Sequence, residues 1–152
     1  MMQGSLGAFR YRPIMSCSPD PQGMDAVARS LGLRLVVLYG SHAHRSPPPG
    51  PGSDVDLALL GCPPEGLLQA QDRLAPLFPG HELDLIRLEA ADPLLRYEVL
   101  SRGLCLWGDP DLFCEYRAYA FRDYVDSADL RRLEQTLHRR RLAWLEEQLH
   151  DS

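Results

Sequence analysis

Two aspartates, Asp54 and Asp56, stand at the head of the apolar run Asp54 to Leu60 (DVDLALL). On a strand this spacing puts both carboxylates on one face. Their α-carbons lie about 6–7 Å apart, so the side chains can converge on a metal ion between them. Val55 and Leu57 then point to the opposite face and hold the strand in a core. Asp84 repeats the arrangement in Glu82 to Leu88 (ELDLIRL), flanked by Leu83 and Leu85. Three carboxylates on one face of a small sheet repel each other if left unpaired, and divalent cations remove that repulsion. Hard oxygen ligands with room for water and phosphate favour Mg²⁺.

Upstream, Gly40-Ser41 comes straight off another apolar run, Leu33 to Tyr39 (LRLVVLY). Glycine permits close approach of the backbone to a phosphate, and the start of a following helix offers free N–H groups. The Ser41 hydroxyl can donate to a phosphate oxygen. These parts describe metal-assisted phosphoryl or nucleotidyl transfer, in which two metal ions stabilise the attacking and leaving oxygens. A lone Asp-x-Asp or Gly-Ser is a weak signal, since solvated acids near strand ends are common. The conjunction carries the reading: strand, Gly-Ser, loop, Asp-x-Asp on a strand, then a further strand with a central Asp.

The elements that position these residues are legible in the same way. Asp20-Pro21 predicts a helix start, with Met24, Val27, Ala28 and Leu31 at helical spacing and Gly32 ending the run. Leu33 to Tyr39 predicts a buried strand, and Gly40 to His44 a turn entering a short helix. Ser46 to Gly52 (SPPPGPG) must be a loop. Asp54 to Leu60 predicts a second strand, Pro63 to Phe78 a helix, and Glu82 to Leu88 a third strand. A helix begins at Asp92 and stops at Gly103, and Leu104 to Trp107 reads as a short edge strand. Pro110 to Leu149 predicts two helices with a break at Asp126-Ser127, where Ser127 is the expected N-cap. The fold class is therefore α/β (α+β): a small mixed β-sheet with flanking helices and additional C-terminal helices.

Bulk properties limit the alternatives. A chain of 152 residues forms one domain with a core able to stand alone. Its net charge of -5 argues against a dedicated nucleic-acid binder. All of its cations are arginine, which excludes lysine nucleophiles and a P-loop lysine. Cys17, Cys62, Cys105 and Cys114 form no CxxC pair, which fits single thiols in a reducing cytoplasm. No stretch approaches the length of a membrane span, and Met1 to Cys17 is a poor signal peptide. We expect a loose leader at 1–19.

Gly40-Ser41 through Ser53-Asp54-Val55-Asp56-Leu57 resembles the signature of the polymerase-β-type nucleotidyltransferase superfamily. The small size is similar to that of its minimal nucleotidyltransferases, the MNT proteins, and residues 33–106 keep that domain's order. Asp92 to Asp109 (DPLLRYEVLSRGLCLWGD) resembles the segment after the third strand in MNT antitoxins, and Glu115 to Asp126 (EYRAYAFRDYVD) fits as well. Such antitoxins are encoded with HEPN-domain RNase toxins. The resemblance implies a nucleotidyltransferase fold at 20–109, with 110–152 as a helical extension packed on it or on a partner. It implies transfer of AMP from ATP to a tyrosine of a cognate HEPN toxin, which neutralises the toxin, in a hetero-oligomer or as a homodimer. It also implies nucleotide gripping by Gly40 and Ser41 and metal binding by Asp54 and Asp56. Asp84 would be the third carboxylate, a metal ligand or a general base. His42 and His44 occupy positions that are usually arginine in the family, and Arg45 is the neighbouring cation able to compensate. The loop before Asp54 is proline-rich and longer than the common spacing.

Two other functions compete. A nucleotidyltransferase acting on a small molecule such as an aminoglycoside would usually carry a larger C-terminal substrate domain. A binding antitoxin with a relict site would have no need of Asp54, Asp56 and Asp84. Among the remaining features, His42-x-His44 lacks a third metal ligand nearby, so surface or phosphate-side histidines are expected. Arg96 is a candidate to reach the nucleotide. Tyr97, Tyr116, Tyr119 and Tyr124 are expected to pack rather than accept AMP. Arg131, Arg132, Arg139, Arg140 and Arg141 are either a solvated face paired with Glu134, Glu146 and Glu147 or part of a partner-binding helix. Leu130, Leu133, Leu137, Trp144 and Leu145 form an apolar stripe expected to meet a partner or a second copy.

Overall fold

The computed structural model describes residues 19–43 and 54–151. Most of the expected leader, Cys17, His44, Arg45 and the Ser46 to Gly52 loop lie outside the described residues. Helix α1 (Pro21–Ser30) opens as its first two residues predict. The Asp20 carboxylate accepts the Gln22 and Gly23 N–H groups at 3.3 and 3.1 Å. Pro21 occupies a position whose N–H would have had no partner inside the helix. The same Asp-Pro device starts two more helices. Asp92 caps α3 (Pro93–Arg102) through the Leu95 N–H at 2.9 Å, and Asp109 caps α4 (Pro110–Asp126) through the Asp111 N–H at 2.9 Å.

Four strands, β1 (Leu35–Tyr39), β2 (Val55–Leu60), β3 (Leu83–Arg87) and β4 (Leu104–Gly108), form one sheet in the order β3-β2-β1-β4. β1 runs antiparallel to both β2 and β4, whereas β2 and β3 are parallel. A parallel pair needs a crossover, which α2 (Leu67–Leu74) supplies with a 3₁₀ turn on each side. The predicted Pro63 to Phe78 helix is thus α-helical only in its middle. Pro76 lacks the N–H that would have continued the ladder. The edge strand expected at Leu104 to Trp107 is present as β4 and ends one residue later.

Side-chain alternation divides the sheet between two cores. Val36, Leu38, Val55, Leu57 and Leu59 pack on Met24 and Ala28 of α1 and on Ala70 and Leu74 of α2. Leu35, Val37, Ala58 and Leu60 pack on Val99 and Leu100 of α3 and on Phe113 and Ala120 of α4. Gly103 lets α3 stop directly against β1. A Cβ there would run into the Val99 carbonyl and the Val37 side chain.

The break at Asp126-Ser127 falls where the sequence places it, and Ser127 takes the N-cap position, its carbonyl accepting the Arg131 N–H at 3.1 Å, but its side chain does not cap the helix. Its backbone is close to helical (φ -87°, ψ 0°), and its hydroxyl turns back to the Tyr124 carbonyl at 3.1 Å. Arg131 donates to the same hydroxyl at 2.5 Å and to the Tyr124 carbonyl at 2.8 Å. Arg131 therefore braces the junction with α5 (Ala128–His150). α5 buries none of its residues. Its ion pair joins Arg132 to Asp129 at 3.6 Å rather than to the expected glutamates.

Candidate active site

β2 and β3 run in parallel register, with Asp56 directly beside Asp84. Residues beside each other in register share a face, so both carboxylates lie on the α3–α4 side of the sheet, with Ala58 and Leu60. Asp54 precedes β2 on the same alternation and is exposed, as is Asp84, while Asp56 is half-buried. Val55 and Leu57 are fully buried on the other face, as their spacing requires.

The electrostatics arise from this crowding. Burial raises the Asp56 carboxyl above its ordinary value, and the charges of Asp84 and Asp54 push it further up, with His42 opposing. Across the sheet, Tyr39 on β1 is the register partner of Asp56. Burial, then Asp56 and Asp84, push the Tyr39 hydroxyl up to about 12, so it stays protonated and can only donate to an anion. Tyr39 was not singled out in the sequence. Its place beside Gly40-Ser41 and the alternation of β1 point to it only once the register of β1 on β2 is known.

Gly40 has a stricter role than phosphate approach alone. Its φ is +75°, a left-handed value that side chains resist, and a Cβ there would fall on the Asp56 carboxylate. Gly40 therefore seats Asp56. Ser41 comes next, exposed. The predicted helix after Gly-Ser is, within the described residues, a 3₁₀ turn over Gly40–Ala43. His42 corrects an expectation: instead of lying at the surface it is buried, its ring edge-on to His81 at 5.1 Å.

Arg96 corrects another. It is buried, and its guanidinium donates to the carbonyls of Leu88 (2.9 Å), Glu89 (3.3 Å) and Ala91 (2.9 Å) and to the Asp123 carboxylate (3.2 Å). All three of its nitrogens are engaged in fastening the β3–α3 connection to α4. The tyrosines pack as expected: Tyr97 stacks on Tyr124 at 4.5 Å, and Tyr116 lies against Tyr119 at 5.6 Å.

The donor set can be tested against a divalent cation. Among the described residues none of Asp54, Asp56 and Asp84 forms an ion pair with an arginine, and burial first, then the charges of Asp84 and Asp54, hold the Asp56 carboxyl above its ordinary value, with His42 opposing. Hard carboxylate oxygens beside one another suit Mg²⁺. Among the described residues, no three or more His, Cys, Asp or Glu side chains gather at metal-binding spacing. The expected set of Asp54, Asp56 and Asp84 is thus not gathered as one metal-binding cluster in this structure.

Comparison with known proteins fits this geometry. No curated protein matches the chain. A chain in a crystal structure of a toxin–antitoxin with AMP-PNP is similar over 84% of this chain and 97% of its own, at 20% identity and a TM-score of 0.57. A chain of a mutant toxin–antitoxin MntA–HpeT is similar over 84% and 97%, at 19% identity and a TM-score of 0.55. A chain of a tri-AMPylated Shewanella oneidensis HEPN toxin in complex with MNT antitoxin is similar over 84% and 93%, at 20% identity and a TM-score of 0.50. At these identities the likeness is one of fold. Among the described residues no helix is long and apolar enough to cross a membrane. The family described as polymerase beta, nucleotidyltransferase matches residues 25–111, which span the whole sheet and all three carboxylates, and the chain belongs to it.

Proposed function

We propose that this protein is a Mg²⁺-dependent protein adenylyltransferase of the MNT type, an antitoxin acting in the cytoplasm that transfers AMP from ATP to a tyrosine of a cognate HEPN toxin. The observation that carries the reading is Asp56 beside Asp84 in parallel register, with Gly40 shaped around the Asp56 carboxylate. Family membership supports nucleotidyl transfer. The AMP-PNP and tri-AMPylated toxin complexes of similar fold support the nucleotide and the acceptor.

In this reading Asp54, Asp56 and Asp84 hold Mg²⁺, two ions in all, which when bound would neutralise charge on the triphosphate. Gly40, Ser41 and Arg45 grip the phosphates. The acceptor tyrosine oxygen bonds to the α-phosphorus, the bond to the bridging oxygen breaks, and pyrophosphate leaves with its electron pair. Asp84, exposed beside Asp56, takes the hydroxyl proton in this reading. The Tyr39 hydroxyl stays protonated and can donate to a phosphate oxygen. The uncovered apolar stripe of α5 favours a protein acceptor over a small molecule.

The test is incubation of the protein with labelled ATP, Mg²⁺ and the HEPN protein encoded beside it. Label should pass to toxin tyrosine and toxin RNase activity should fall. An Asp56→Asn chain that still labels the toxin at the normal rate would remove the assignment. Toxin inhibition without label in the unmodified protein would mean neutralisation by contact alone.

A further inference from the structure

A cavity of about 170 Å³ adjoins the carboxylate corner. Tyr39 and Gly40 form one wall, and Leu95, Glu98, Val99 and Arg102 of α3 form the other. Because Gly40 also seats Asp56, the cavity and the carboxylates share a wall. The volume is below the roughly 300–1,000 Å³ of a whole small-molecule site, so the cavity suits one ring system of a ligand whose remainder lies outside.

Its chemistry is specific. Leu95 and Val99 give apolar walls, and Tyr39 gives an aromatic surface of the kind on which nucleobases stack. Glu98 and Arg102 are four residues apart, the order in which a glutamate and an arginine normally pair along a helix. Here they do not pair: among the described residues neither head group has a hydrogen-bond or ion-pair partner. One acceptor and one donor are thus left open at the rim of a flat-sided slot.

Resting on the nucleotidyltransferase reading above, the geometry points to this cavity as the seat of the nucleotide's purine base, with Glu98 and Arg102 reading its edge. Every nucleobase presents a donor and an acceptor on one edge, which a carboxylate and a guanidinium one helical turn apart can engage, and a purine adds a two-ring face that covers more of the Tyr39 ring and the Leu95 and Val99 walls than a pyrimidine does. An acceptor tyrosine fits less well. Its single polar atom must point toward the carboxylates, which leaves Glu98 and Arg102 facing bare ring carbon.

The experiment is calorimetric titration of the full chain with Mg²⁺ and non-hydrolysable analogues of ATP, GTP, CTP and UTP, beside tripolyphosphate, which lacks a base. A purine analogue should bind more tightly than the pyrimidine analogues and tripolyphosphate. Glu98→Ala and Arg102→Ala, both at exposed positions, should each weaken purine binding about tenfold and leave tripolyphosphate affinity unchanged. Unchanged purine affinity in both variants overturns the inference. So does an equal loss for purine and tripolyphosphate, which would make the pair a phosphate site. Loss of transfer to a protein acceptor with purine affinity intact would assign the cavity to the acceptor instead. If the folded protein binds neither nucleotide nor tripolyphosphate, the nucleotidyltransferase reading falls together with this one.

Discussion

Asp56 concentrates the conflict between stability and function in this protein. Its folded carboxyl sits above its ordinary value of 3.8, because burial and the charges of Asp84 and Asp54 disfavour ionisation. A carboxyl raised in this way weakens the fold once it is ionised. The Asp56 contribution to the stability of the Mg²⁺-free protein should therefore fall as pH rises from 3.8 through the folded value, against the opposite slope of Asp25, whose carboxyl is held below its ordinary value first by the Trp107 hydrogen bond. Asp56→Asn should remove the Asp56 contribution. It should also raise the neutral-pH melting temperature by about 2 °C, a small gain because water screens a half-exposed group. The same variant should abolish transfer, and a scan of melting temperature against pH beside a transfer assay checks both. Gly40→Ala tests the seat of this carboxylate from the other side. Its left-handed backbone and the overlap with Asp56 should cost about 1–2 kcal/mol in denaturant unfolding. A displaced Asp56 should slow transfer about a hundredfold.

At the scale of elements, Arg96 is the fastener. Its four bonds hold the carbonyls of Leu88, Glu89 and Ala91 and the Asp123 carboxylate, so the end of β3, α3 and α4 move as one unit. Arg96→Met keeps the aliphatic bulk but leaves buried acceptors unsatisfied. It should destabilise by about 3 kcal/mol, equivalent to about 6–12 °C in melting temperature. Nucleotide affinity of the folded protein, measured by titration at low temperature, should stay unchanged. A variant that keeps its stability and loses nucleotide binding would return Arg96 to the ligand. The Asp-Pro helix starts at α1, α3 and α4 position the elements around it by local chemistry alone.

Among the described residues, helices cover both faces of the sheet and one helix, α5, buries none of its own residues. Leu130, Leu133, Leu137 and Trp144 of α5 are each more than half exposed, and no residue of that helix is buried. An apolar stripe of this length on one exposed helix is the kind of surface a partner covers. Trp144→Ala should weaken complex formation with the partner, or self-association, by about 2 kcal/mol or more, with the melting temperature of the isolated chain unchanged. Binding by calorimetry and sedimentation, beside thermal unfolding, checks this. A large drop in melting temperature with binding intact would show that Trp144 serves the fold instead.

The sequence by itself determined the strands, the Asp-Pro starts, the carboxylate face and the family. The strands, helix starts and carboxylate face rest on local periodicity, residue type and spacing, whereas the family rests on the resemblance of Gly40-Ser41 through Leu57 to a known signature. Asp54, Asp56 and Asp84 were legible because side chains on a strand alternate whatever the strand pairs with. Only the tertiary structure decided which groups meet across strands and between helices. Strand register set Asp56 beside Asp84 and Tyr39, and a close approach explained why residue 40 must be glycine. Packing turned Arg96 inward and buried His42 against His81, because a side chain's neighbours come from elements far away in the chain. The exposed stripe of α5 was visible as a pattern. That it stays uncovered depends on where the chain directs the helix after Ser127, which no local periodicity encodes.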